Sequence, residues 1–178
     1  EESGIKAHWL PVPYSNYLSY TERVKAFLKF AFFSAKKAAS LSADVVFATS
    51  TPLTIALPGA FAAKRQKVPM VFEVRDLWPD VPIAMDIIKN PVLVKLALIL
   101  EKFAYNRAER IVALTPTMRD FLSGKGVPLQ KIFVIPNGSD LDLFNKDSLG
   151  AAPTKELTQN KKFRLYCGGL GPAHGPEY

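Results

Sequence analysis

Four short apolar runs constrain this chain more than any other feature: DVVFAT at 44–49, VPMVFEV at 68–74, IVAL at 111–114 and IFVI at 132–135. Each has the length of a buried strand, and each pair is separated by a segment of helical character. Strands alternating with helices specify a parallel sheet, because parallel neighbours need long crossovers. The expected fold is α/β, a Rossmann-like doubly wound sheet covered on both faces. Helices are expected over Thr21–Ser40, over Pro52–Gln66 with a kink or break at Pro58-Gly59, and over Pro91–Ala108. Pro91 falls in the first turn, where proline is tolerated. Thr115-Pro116 predicts an N-cap followed by proline at the first helical position, with that helix ending near Gly124 or Gly126. Ile5–Val12 and Phe163–Cys167 are further strand candidates, and Leu149–Lys162 has the polar, irregular composition of a linker.

Composition narrows the class. The 178 residues are 48% hydrophobic and 22% charged, as in globular domains. A net charge of +7 favours an anionic partner: nucleic acid, a phosphate-bearing ligand or an acidic membrane. The single cysteine, Cys167, excludes a disulfide within the chain and suggests a reducing compartment. No window supplies the ~18 apolar residues of a spanning helix. The start, Glu1-Glu2-Ser3-Gly4, has the look of an internal piece rather than a leader. His8 and His174 are isolated, no cluster has zinc-ligand spacing, and no GxSxG motif occurs.

In parallel sheets ligands bind beyond the carboxyl ends of the strands, and the unusual residues of this chain gather there. Alternation in VPMVFEV puts Met70, Phe72 and Val74 on one face and Val71, Glu73 and Arg75 on the other. Glu73 is expected to pair internally with Arg75 or Arg107, since a buried charge needs a partner. Arg75 and Asp76 exit the strand. Arg75 offers a fork for phosphate or carboxylate, and Asp76 can accept from sugar hydroxyls or orient Arg75; a local ion pair between the two is the plainer alternative. Ser50 and Thr51 offer hydroxyls at a helix start, either for a ligand or as caps. Trp78 serves equally as a pocket wall or a core anchor. Gly168-Gly169-Leu170-Gly171 suggests a phosphate-cradling turn, a weak signal alone.

A wheel at ~100° per residue over Thr21–Ala39 groups Val24, Phe27, Leu28, Ala31, Ala35 and Ala38 as a core face. Lys25, Lys29, Lys36 and Lys37 fall opposite, with Phe30 and Phe33 among them. Aromatics amid lysines suit an anionic membrane surface; packing beneath the Tyr14–Tyr20 loop is the competing explanation for the two phenylalanines.

DVVFATSTPLT, VPMVFEVRDLWPD, AERIVALTPTMRDFL, VIPNGSDLDLF and LYCGGLG, in that order, resemble family 4 glycosyltransferases of the GT-B fold. The nearest group is the bacterial surface-polysaccharide transferases of the N-acetylfucosamine type. The resemblance spans nearly the whole chain. It implies an N-terminal acceptor-side domain over 1–148 lacking its first strand, a linker over 149–162, and the start of a donor-binding domain over 163–178. It implies a retaining hexosyltransferase-type enzyme (EC 2.4) in O-antigen or capsule synthesis. Such an enzyme would be active only as a two-domain protein and would lie peripherally at the cytoplasmic face of the plasma membrane. The donor would be a nucleotide sugar, UDP-linked, with no metal or other cofactor. The acceptor would be a lipid-linked sugar, and nucleic acid is not an expected partner.

By the same resemblance, Arg75 and Asp76 are the catalytic candidates. Ser50, Thr51, Trp78, Asp80 and Thr115 fall on the acceptor side. Asn137, Gly138 and Asp140 form the hinge segment, and Gly168, Gly169 and Gly171 the donor side. Relatives often carry histidine where Arg75 stands. Arginine cannot act as a base near neutral pH, so charge stabilisation is its expected role. A GT-B UDP-sugar epimerase and a non-catalytic basic membrane- or nucleic-acid-binding module are the alternatives.

Overall fold

The computed structural model describes residues 4–15, 17–139 and 141. Within the compact unit Glu1–Pro136, strands β1 (Val46–Thr49), β2 (Met70–Val74), β3 (Arg110–Ala113) and β4 (Ile132–Val134) form one sheet in the order β1-β2-β3-β4. Every pairing is parallel, with Ala48 beside Phe72, Phe72 beside Ile111 and Ile111 beside Ile132. The helices are α1 (Tyr20–Ala39), α2 (Ala56–Gln66), α3 (Asp80–Ala84), α4 (Pro91–Arg107) and α5 (Pro116–Gly124). The expected parallel α/β architecture is therefore present.

The helix boundaries follow from capping chemistry. Ser19 and Glu22 form a reciprocal capping box at the start of α1: the Ser19 hydroxyl accepts from the Glu22 N–H, and the Glu22 carboxylate from the Ser19 N–H. Asn90 Oδ1 accepts from the N–H groups of Val92 and Leu93, with Pro91 opening α4. Thr115 Oγ1 accepts from the Met118 N–H, with Pro116 opening α5 as the sequence predicts. The five-residue α3 is too short to leave a periodic signal.

The core lies on one face of the sheet. Ala48, Met70, Phe72, Val74, Ile111, Ala113 and Ile132 meet Ala56 and Ala63 of α2, Ala104 and Tyr105 of α4, and Leu122 of α5. Sequential strand order with right-handed crossovers places all of these helices on the same side. The opposite face is unevenly covered among the described residues: Val112 is buried, while Phe47 and Phe133 are exposed. The run DVVFAT is accordingly half-buried rather than buried.

Pro58-Gly59 does not break α2. Both residues lie buried in its first turns, where a proline removes no helical hydrogen bond. Gly59 is there because the helix crosses close over the sheet. A Cβ at this position would stand 2.9 Å from the Ala48 Cβ and 3.1 Å from the Met70 sulfur.

Three further expectations are corrected. Ile5–Val12 forms no strand beyond a bridge at Ile5; Pro11 and Pro13 deny the donors a ladder needs. The predicted core face of α1 is covered in part: Ala31 is buried, Phe27, Ala35 and Ala38 are half-buried, and Val24 and Leu28 are exposed. The reason is that α1 lies against α2 and the turn before it, not on the sheet. Glu73 pairs with neither Arg75 nor Arg107 among the described residues, and the Arg107 guanidinium instead lies 5.5 Å from the Phe103 ring centre. Glu73 is only half-buried, on the sheet face opposite the core, so it keeps access to solvent and needs no ion partner.

Candidate functional site

Two strand ends are stitched together by backbone and hydroxyl groups. The Ser50 N–H donates to the Glu73 carbonyl at 3.0 Å, extending the β1–β2 ladder by one residue. The buried Ser50 hydroxyl then accepts from the Arg75 N–H at 3.1 Å. One residue further, the Thr51 hydroxyl donates to Asp76 Oδ2 at 2.6 Å. Ser50 is thus occupied in holding the Arg75 backbone, and Thr51 in orienting Asp76.

The Arg75 side chain is exposed and, among the described residues, makes no ion pair. The local Arg75–Asp76 pair weighed from the sequence is not formed. An exposed arginine, without an ion pair among the described residues, is thus followed in sequence by a carboxylate that the Thr51 hydroxyl fixes in place. That arrangement suits a ligand with both an anionic group and hydroxyls.

The segment after Asp76 is anchored inward. The Trp78 N–H donates to the Asp76 carbonyl at 2.8 Å, the indole packs partly buried against the core, and Pro79 is fully buried. Asp80, expected near the acceptor, is engaged elsewhere: its Oδ2 lies 2.6 Å from Lys125 Nζ. Lys125 also contacts both oxygens of Glu101 at 2.7 and 2.6 Å. Glu101 is buried and accepts from the Tyr105 hydroxyl at 3.0 Å.

Burial pushes the Glu101 carboxyl up from its ordinary range, against the opposing pull of Lys125. Burial also opposes the charge on Lys125, yet its bonds to Asp80 and Glu101 together hold its pKa above the ordinary value. Burial, with the Glu101 charge beside it, raises the Tyr105 phenol. This clamp joins α3, α4 and the end of α5. It went unnoticed in the sequence, although a lone carboxylate after Leu96-Ala97-Leu98-Ile99-Leu100 was a signal for it.

Beside Thr51 lies a pocket of about 370 Å³, lined by Val12, Tyr14, Phe27, Phe30, Thr51 and Ile55 among others. Tyr14 stacks on Phe27 with ring centres 5.4 Å apart. Phe30 lines the same pocket as Tyr14 and remains partly exposed. Phe33 is partly exposed, with Lys29 Nζ 6.0 Å from its ring centre and Phe32 in edge contact. Lys25, Lys29 and Lys36 are exposed and Lys37 is half-buried.

Thr115 is exposed, and its hydroxyl caps α5. Asn137 and Gly138 are exposed and belong to the second unit, Asn137–Tyr178. Asp140, Gly168, Gly169 and Gly171 lie outside the described residues. No group of three or more potential metal ligands occurs among the described residues.

Residues 1–138 match the family model of the glycosyl transferase 4-like domain. The chain belongs to that family. No curated protein matches it. As a glycosyl transferase 4-like domain, the protein has a glycosyltransferase-type function, and binding of a nucleotide-sugar donor and an acceptor follows in general terms. No helix among the described residues is long and apolar enough to cross a membrane.

Proposed function

We propose that this chain is the acceptor-side domain of a retaining, UDP-sugar-dependent hexosyltransferase that extends a lipid-linked sugar in bacterial polysaccharide synthesis. It works with its donor-binding domain, peripherally at the inner face of the plasma membrane. The observation that carries this reading is the exposed Arg75 side chain just after β2, without an ion pair among the described residues, followed by an Asp76 that Thr51 orients. Arg75 binds the acceptor's diphosphate or steadies the negative charge that develops as the donor's sugar–phosphate bond breaks. Asp76 accepts from acceptor hydroxyls.

The bond from the donor's anomeric carbon to the acceptor oxygen forms on the face the diphosphate leaves. The departing diphosphate takes the acceptor's proton, so no protein base is required. The apolar pocket beside Thr51 supports a lipid-linked acceptor, because Tyr14, Phe27, Phe30 and Ile55 suit hydrocarbon rather than sugar.

Titration of the isotopically labelled chain with a short isoprenyl-diphosphate-linked monosaccharide tests the acceptor assignment. Amide shifts are expected at Thr51, Arg75 and Asp76 and around Phe27 and Phe30. Absence of shifts there at saturating ligand would contradict it.

A further inference from the structure

A wide apolar opening on the described surface lies away from the strand ends. A groove of about 780 Å³ runs between α1 and α2, floored by Ala31, Ala35 and Pro58. Its walls carry Leu28, Phe32, Leu57 and Phe61, all exposed; Phe32 is 68% and Phe61 52% accessible. Side chains of this size are left in water only singly on most soluble surfaces, and a contiguous strip marks a contact surface.

The electrostatics around the groove have one sign. Lys36 and Arg65 line it, and no acidic side chain does. No Asp or Glu occurs from Arg23 to Ala43 or from Val45 to Phe72. Both cations lie in the last turns of their helices. Those ends are held together by Gln66 Nε2 donating to the Ala38 carbonyl at 3.0 Å. The apolar strip thus leads to a cationic end.

We propose that the α1–α2 groove is the surface by which this domain docks on an anionic bilayer, with an acyl chain along the groove and the lipid phosphate at Lys36 and Arg65. An apolar bed ending in cations complements an amphiphile with a negatively charged head. A nucleic acid would share the charge complementarity, but the Leu, Phe and Ala walls offer its bases and backbone no hydrogen-bonding groups. The proposal deepens the membrane part of the function proposed above. It moves the contact from Phe30, which lines the pocket beside Thr51, to Phe32, Phe61 and the two cations.

The test is co-sedimentation of the chain with phosphatidylcholine vesicles with and without phosphatidylglycerol. Wild type is expected to bind only the anionic vesicles. Each cation near an anionic surface strengthens binding about five-fold, so Lys36→Gln with Arg65→Gln should weaken it about 25-fold. Phe32→Ser with Phe61→Ser should also abolish most binding. All replaced groove side chains are accessible, and an unchanged circular dichroism spectrum verifies the fold. If wild type binds anionic vesicles and both groove double variants bind equally well, the groove is overturned while peripheral membrane binding survives. If wild type binds no vesicle, both fall. Salt-sensitive binding to DNA exceeding that to anionic vesicles would overturn the lipid assignment. None of these outcomes depends on sugar transfer.

Discussion

Thr51 and Asp76, 25 residues apart in sequence, are joined by a 2.6 Å hydrogen bond that no local pattern announces. The exit of Arg75 and Asp76 from the sheet was legible, because charges ending an alternating apolar run must leave the core. Their partners were not, because side-chain pairing across strand ends depends on register. Ser50 illustrates the difference: as a hydroxyl after a strand it suggested a ligand contact, and its hydroxyl instead satisfies the Arg75 N–H. The Lys125 clamp yields a prediction at this scale. Lys125→Met leaves Glu101 as a buried carboxylate without its cation and should cost about 3 kcal/mol at neutral pH. The loss should shrink in acid. Burial raises the Glu101 pKa, so the carboxyl takes up its proton as pH falls through a range above its ordinary 4.5, and a protonated carboxyl needs no cation. Denaturation of wild type and variant across acidic to neutral pH checks this; a pH-independent difference would contradict it.

At the scale of elements, strands and long helices were readable from period and caps, and the partners of each element were not. Pro58-Gly59 illustrates the limit. Composition suggested a break, whereas the structure uses Pro58 in a first turn and Gly59 as the point where α2 crosses closest to β1 and β2. Gly59→Ala should therefore destabilise the domain despite the better helix propensity of alanine. Its methyl would meet the Ala48 Cβ, which is fixed to a strand and cannot swing aside. The expected net loss is about 1–2 kcal/mol, overpacking outweighing propensity. Urea denaturation measures it, and a stabilised variant would show that α2 has room the geometry denies. The outward position of α1 was hidden for a related reason: a wheel separates apolar from charged faces but cannot say whether a sheet or a single helix covers the apolar one.

For the whole molecule, the parallel α/β architecture was legible because alternating strand and helix segments permit few others. The uneven cover of the second face, with Val112 buried and Phe47 and Phe133 exposed, was not, because it depends on how each element packs in three dimensions. The positive charge also has a shape that a total of +7 conceals. Beyond Glu22, α1 and α2 carry lysines and arginines but no Asp or Glu, while the carboxylates Glu101 and Asp80 are spent on Lys125. The domain thus presents a basic, apolar helical groove and, at the strand ends, an exposed arginine followed by an oriented aspartate. The central claim is that this strand end serves transfer from a nucleotide sugar. It is tested most directly by sugar-transfer turnover of the chain together with its donor domain, with Arg75 and Asp76 replaced in turn. Arg75→Ala and Asp76→Ala should each lower turnover about 100-fold or more, and Arg75→Lys should fail to restore it because the two-pronged donor is lost. Wild-type turnover in both alanine variants would remove these residues from the site and contradict the account.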